Sequence, residues 1–181
     1  VKRTLQDQAK QRLGKIQVAL EQHDRFFWAD LSAQLELGDH IHFAPLLKLN
    51  AAGYSENEKG QIDKRANNIQ LIGLNDDFWH HAMLKANKPS LMEQDEALVN
   101  PRLAKQLGLA VGDEFRLRIA KPSVLPRDAP LSVAEDLTKS LRLKVAKVID
   151  PVSELANFNL RPGAVSPYNV FVPLSWLQEE T

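Results

Sequence analysis

The pattern of apolar and polar positions is sharpest over Ala97–Ile119, where an apolar run, a capped helix, a tight turn and a second strand follow one another without a spare residue. Asn100 can accept hydrogen bonds at a helix N-cap, Pro101 suits the first helical position, and Gly108 can take the left-handed conformation that ends a helix. The spacing predicts a helix of about two turns between them. Val111-Gly112-Asp113 supplies a turn, after which Phe115, Leu117 and Ile119 alternate with charged residues as in a half-buried strand.

Elsewhere the pattern is more broken. Leu5, Ala9 and Leu13 recur at helical spacing, and Gly14 is placed to stop that helix. Ile16, Val18 and Leu20 alternate, and the β-branched residues after Gly14 predict a strand rather than a continued helix. Asp24 can cap a helix over 24–37, with Phe27, Leu31 and Leu35 on one face and Gly38 after it. Ile41–Asn50, interrupted by Pro45, reads as a strand with a bulge or an edge position. The polar stretch Ser55–Arg65 contains one apolar residue, Ile62, and reads as an exposed loop or hairpin tip. Ile69–Leu74 is the next strand, and Asn75-Asp76-Asp77 turns the chain into Phe78-Trp79. Pro122, Pro126 and Pro130 make Lys121–Pro130 a long irregular connection. Leu141–Ile149 and Tyr168–Val172 are the last strands, the second leading through Pro173-Leu174 into SWLQEE. About six strands among three or four short helices, without a βαβ rhythm, predict an α+β domain with mixed sheets and argue against a doubly wound nucleotide fold.

Composition narrows the functional classes. The 181 residues suffice for one core, or for a core with a smaller lobe. With 23 basic and 23 acidic side chains, the formal net charge is zero, so no bulk attraction to nucleic acid or an anionic membrane surface is indicated. The absence of cysteine excludes thiol catalysis, disulfides and cysteine-ligated zinc. No window reaches the ~20 consecutive apolar residues of a membrane span, and the start has no signal-peptide pattern. The chain opens on Val1 in a helical pattern, which leads us to expect a domain excised from a longer polypeptide.

Candidate chemistry is sparse. His40/His42 and His80/His81 form two close pairs, with His23 alone; on a strand His40 and His42 would share a side. A metal centre needs three or four converging ligands, and each pair supplies two, so these histidines read as exposed polar residues. Adjacent His80 and His81 point apart on a helix. Neither a G-x-S-x-G turn nor a phosphate-binding glycine loop occurs. Asp76-Asp77 and Asp95-Glu96 lie in polar turns and read as solvated. Phe26-Phe27-Trp28 and Phe78-Trp79 sit at element starts, where aromatic residues serve as core anchors more often than as a ligand patch. The residues therefore assign no catalytic, cofactor-binding or metal position.

Four segments together resemble the extracytoplasmic domain of ABC-transporter permeases of the MacB-like, FtsX-like family. They are Ile69–Trp79; the unit carrying Val99, Asn100, Leu103, Ala104, Leu107, Gly108, Val111, Gly112 and Asp113; LKVAKVIDP, in which Lys147 stands where the family has glycine; and Asn169–Gln178. The resemblance covers about residues 66–178. It implies an α+β, bilobed MacB-like periplasmic core domain, 1–181, with lobes of about 1–95 and 96–181. It also implies a non-catalytic role without cofactor, coupling cytoplasmic ATP hydrolysis to the handling or export of a substrate outside the membrane. The implied partners are the transmembrane helices of the same permease, a separate cytoplasmic ATPase acting through them, and a periplasmic protein, lipoprotein or peptide. A homodimer in the full transporter fits this scheme, and nucleic acid does not. The implied location is the extracytoplasmic face of the cytoplasmic membrane, the periplasm in a Gram-negative cell. A second reading is a free-standing β-rich peptide- or ligand-binding module, because strand-helix-turn-strand units also occur in double-psi and related small barrels.

Overall fold

Alternating buried and exposed positions wrap six strands around one interior. The computed structural model describes residues 7, 9, 12–22, 27–28, 31, 40–57, 59–83, 95–120, 138–161 and 165–181. In chain order the elements are β1 (Leu46–Glu56), β2 (Ile62–Leu74), a π-helix (Phe78–Ala82), β3 (Glu96–Val99), α1 (Pro101–Leu107), β4 (Glu114–Ala120), β5 (Thr138–Val148), a 3-10 helix (Glu154–Asn157), β6 (Tyr168–Pro173) and α2 (Leu174–Glu179). The strands close into a barrel in the order β1-β2-β6-β3-β5-β4. β2–β6 and β3–β5 are parallel, and the remaining four pairings are antiparallel.

This closed, mostly β barrel corrects the expectation of an α+β, bilobed MacB-like core. β6 lies between β2 and β3, and β1 pairs with β4, so strands from both halves of the chain share one sheet rather than building two lobes. Among the described residues the helices lack the length to form a layer of their own.

Two local devices bend the sheet. Opposite β1, the β2 register passes from Ala51↔Ile69 to Gly53↔Ala66, leaving one more residue on β2 than on β1, and Asn68 takes a left-handed φ of 56° there. The extra residue resets the alternation, so that Ala66 and Ile69 both face the interior. A Cβ at Gly53 would stand 2.7 Å from Ile69 Cδ1 and 2.8 Å from Leu117 Cδ2, so glycine leaves the room these two side chains use. A second shift, between Ala97 and Leu98 on β3, places Leu98 opposite Lys147 of β5.

Apolar side chains form two layers. Inside the barrel, Leu71, Val99, Phe115, Leu117, Ile119, Leu143 and Val170 are wholly or almost wholly buried. α1 contributes Leu103 and Leu107 to this cluster, and α2 contributes Trp176 and Leu177. Because β3 and β6 run antiparallel, the helices that follow them leave from opposite ends of the barrel. Outside, the reverse faces of β2, β3 and β6 present Ile72, Leu98 and Phe171 to one layer that includes Phe78, Met83, Leu155 and Phe158. Phe158 meets Phe78 edge-on at 5.7 Å and Phe171 at 6.1 Å between ring centroids. This double burial explains why Val170, Phe171 and Val172 are buried consecutively instead of alternating.

The central unit forms as its residues predict. Asn100 caps α1, Gly108 ends it at φ 68°, and Gly112 turns at φ 93°. The expected tip within Ser55–Arg65 is a hairpin turn at 57–61, with both strands longer than predicted. Other expectations fail. Ile16–Leu20 is not a strand: Val18 is 85 % exposed and Leu20 74 %. The strand foreseen from Ile41 begins at Leu46, after Pro45. Phe78 is a core anchor as expected, but Trp28 is 83 % exposed and Phe27 half-exposed. Leu5, His23, Asp24, Phe26, Leu35, Gly38 and the Pro122–Pro130 connection lie outside the described residues.

Leu107 is 1 % exposed at the junction of α1 and the barrel interior, so Leu107→Ala should destabilise by about 2–5 kcal/mol in urea titrations. A Cβ at Gly112 meets nothing within 4 Å, so Gly112→Ala should cost only its left-handed backbone, about 1–2 kcal/mol by the same measurement.

Candidate functional site

Two places gather polar side chains from distant parts of the chain. The first lies at the base of the β1–β2 hairpin. Asn75 Oδ1 accepts from the Phe78 amide at 3.1 Å and Asn75 Nδ2 donates to Asp77 at 2.9 Å, which sets the start of the π-helix. Burial of Phe78 then leaves His80 and His81 on the exposed side. The β1–β2 ladder ends at Leu46↔Leu74, and the two chains leaving it stay together. His42 and His81 stack there with ring centroids 4.2 Å apart and planes 8° from parallel. His80 meets His81 edge-on at 6.4 Å.

The sequence pairing of His40 with His42, and of His80 with His81, is therefore replaced by a pairing across the hairpin base. His42 precedes the strand instead of standing on it. The signal that could have found the pair is the hairpin register: extended four residues beyond Leu46↔Leu74, it sets residue 42 opposite 78, one turn from His81. Among the described residues, no three His, Asp or Glu side chains are placed to share a metal ion.

The second place is buried, at the start of α1. Asn100 Oδ1 accepts from the Leu103 amide at 3.1 Å and from the Asn169 amide at 3.2 Å, while Nδ2 donates to the carbonyls of Ala156 at 3.1 Å and Pro167 at 2.9 Å. One amide side chain thus joins α1, the 3-10 helix and the entry to β6. Asn169 adds a bond from its own Nδ2 to the Phe158 carbonyl at 2.8 Å. The capping role of Asn100 was legible from Pro101 and Gly108; its three other bonds were not, because their partners lie 56 to 69 residues away.

No protein-family model matches the chain, and no curated protein matches it. The permease resemblance stands on its residues alone. Its four segments correspond to β2, β3 with α1, β5, and β6 with α2, which are neighbours in the barrel order β2-β6-β3-β5. The Val111-Gly112-Asp113 turn is tied to this block. Asp113 Oδ2 accepts from the Ala110 amide at 2.8 Å, Gly112 donates to the Val145 carbonyl at 2.8 Å, and Val145 returns a bond to the Asp113 carbonyl at 2.9 Å.

Several other charges pair across the surface. A shallow depression lined by Glu56, Glu114, Phe115, Arg116 and Arg142 is bridged by the pairs Arg116–Glu56 and Arg142–Glu114. Asp76, Asp77 and Asp95 are exposed, in keeping with their solvated reading. Residues 12–22 cross the outer layer as a strap. Lys15 donates to the Ala82 carbonyl at 2.7 Å, Ile16 packs on the outer core, and Glu21 binds both Lys48 of β1 and Arg161. Gly14 permits the approach: its φ is 59°, and a Cβ there would stand 2.5 Å from the Ala82 oxygen.

The hydrogen bond from Lys48 is the main cause holding the Glu21 carboxyl below its ordinary pKa; partial burial opposes it, and Arg161 adds to it. A carboxyl depressed on folding stabilises above its unfolded pKa, and that contribution disappears as pH falls through the folded value. Glu21→Gln should therefore cost about 0.5–1 kcal/mol at neutral pH, and the difference from the parent should shrink to nothing on acidification, read by urea melts across pH. Asn100→Ala should be far more damaging. It strands one buried and one partly buried carbonyl and two amides, and should cost about 3 kcal/mol by the same method.

Proposed function

We propose that this chain is a non-catalytic extracytoplasmic module of an ABC-transporter permease, passing movement generated by a cytoplasmic ATPase to a protein, lipoprotein or peptide outside the membrane. The observation that carries this reading is the convergence of the four resembling segments on one contiguous block, β2-β6-β3-β5, locked by Asn100. A barrel filled by its own side chains and joined to helices at both ends moves as one piece, which is what transmission of force demands. The bilobed core expected of the family is absent from this reading; the barrel takes its place as the rigid body. Among the described residues no helix is long and apolar enough to cross a membrane, so the spans this role requires would be supplied by other parts of the permease.

The free-standing β-rich binding module is the second reading, and the closed barrel itself favours it. The two differ in what lies around the barrel. The permease reading requires ~20-residue apolar spans near the flanks of this sequence in the coding region, and the binding-module reading does not.

The hairpin turn gives a direct test in cells. Lys59 is exposed at its tip, and the chain has no cysteine, so Lys59→Cys adds a single thiol to it. Expressed in its native polypeptide, that thiol should react with a membrane-impermeant maleimide in intact cells or spheroplasts, with the unsubstituted protein as blank. Labelling only after lysis would overturn the permease reading.

A further inference from the structure

We propose that His42 and His81 form a two-imidazole site for a borderline divalent cation such as Zn²⁺, independently of the permease reading. Neutral imidazole suits first-row cations of this softness, whereas carboxylate and water suit Mg²⁺. Both rings are exposed and come from separate segments, so a cation held between them would tie the lead-in to β1 to the π-helix after β2. π-helical turns are rare and gather at functional positions, and this one carries His81.

The two rings lie close enough to reach one cation once a ring turns. Two ring nitrogens on one tetrahedral zinc stand about 3.3 Å apart, given Zn–N of about 2.0–2.1 Å. The ring centroids here are 4.2 Å apart. In nearly parallel planes the in-plane nitrogen lone pairs do not converge on a common point, so binding turns one ring about its Cβ–Cγ bond. That torsion is broad for histidine, and both side chains are exposed. With no third protein ligand placed among the described residues, water completes the shell. The site is therefore open rather than a closed structural zinc centre. His80 stands edge-on to His81 at 6.4 Å, next to the pair.

Titration of the purified chain with ZnCl₂, followed by calorimetry, tests this. One saturable site is expected, absent for MgCl₂, and weakened at least about tenfold by His42→Ala or His81→Ala, the share of one of two ligands. His40→Ala should leave it within about twofold. Imidazole ¹⁵N resonances of the unsubstituted protein give a readout that needs no variant: those of His42 and His81 should shift on adding zinc. No saturable zinc site, binding unchanged in both alanine variants, or shifts confined to His23 and His40 would each overturn the proposal.

Discussion

The joint between the two apolar layers depends on a single amide. Where β3 turns into α1, the chain must end a strand, start a helix and pass beneath the segment that leads into β6. Each of these changes leaves backbone groups without ladder partners in a largely buried region. Asn100, itself fully buried, supplies two acceptor and two donor positions to these groups, and its own amide and carbonyl are used by Asn169 and Ala104. An aspartate would lack the two donors, and a serine the second, so no smaller change keeps the set. The inner core, the outer aromatic layer and the helix that joins the interior are therefore held in register at one residue.

Around this joint the architecture follows from burial. β4, whose outer face meets solvent, alternates cleanly; β6, sandwiched between the interior and the Phe78–Phe158–Phe171 layer, does not. Closing the barrel removes the sheet edges that an open six-stranded arrangement would expose. The bulge at Asn68 and the space beside Gly53 supply local curvature. A packed body whose resembling segments are neighbours in space is consistent with the proposed role of passing on movement, while the same closure suits a binding module.

Local chemistry was legible in the sequence and long-range pairing was not. The cap at Asn100, the left-handed Gly108 and Gly112, and the alternation of Phe115, Leu117 and Ile119 all follow from residues within a few positions of one another. The mistaken α+β, two-lobed expectation arose because parallel neighbours such as β2 and β6 lie about a hundred positions apart, and strand spacing alone does not reveal a closed order. Ile16–Leu20 alternated like a strand but pairs with no strand among the described residues; it crosses the outer layer as a strap, held by Ile16 and Glu21 while Val18 and Leu20 face solvent. The histidines were paired with their sequence neighbours because the contact of His42 with His81 exists only once the hairpin register is known.

Native-state hydrogen exchange at the Leu103 and Asn169 amides tests the central claim most directly, since both donate to Asn100 Oδ1. If this side chain locks the joint, both amides should exchange only through global unfolding, with the same free energy and denaturant dependence as the interior strand amides of β4 and β5. Exchange of either through a local opening well below the free energy of those strands would contradict the account.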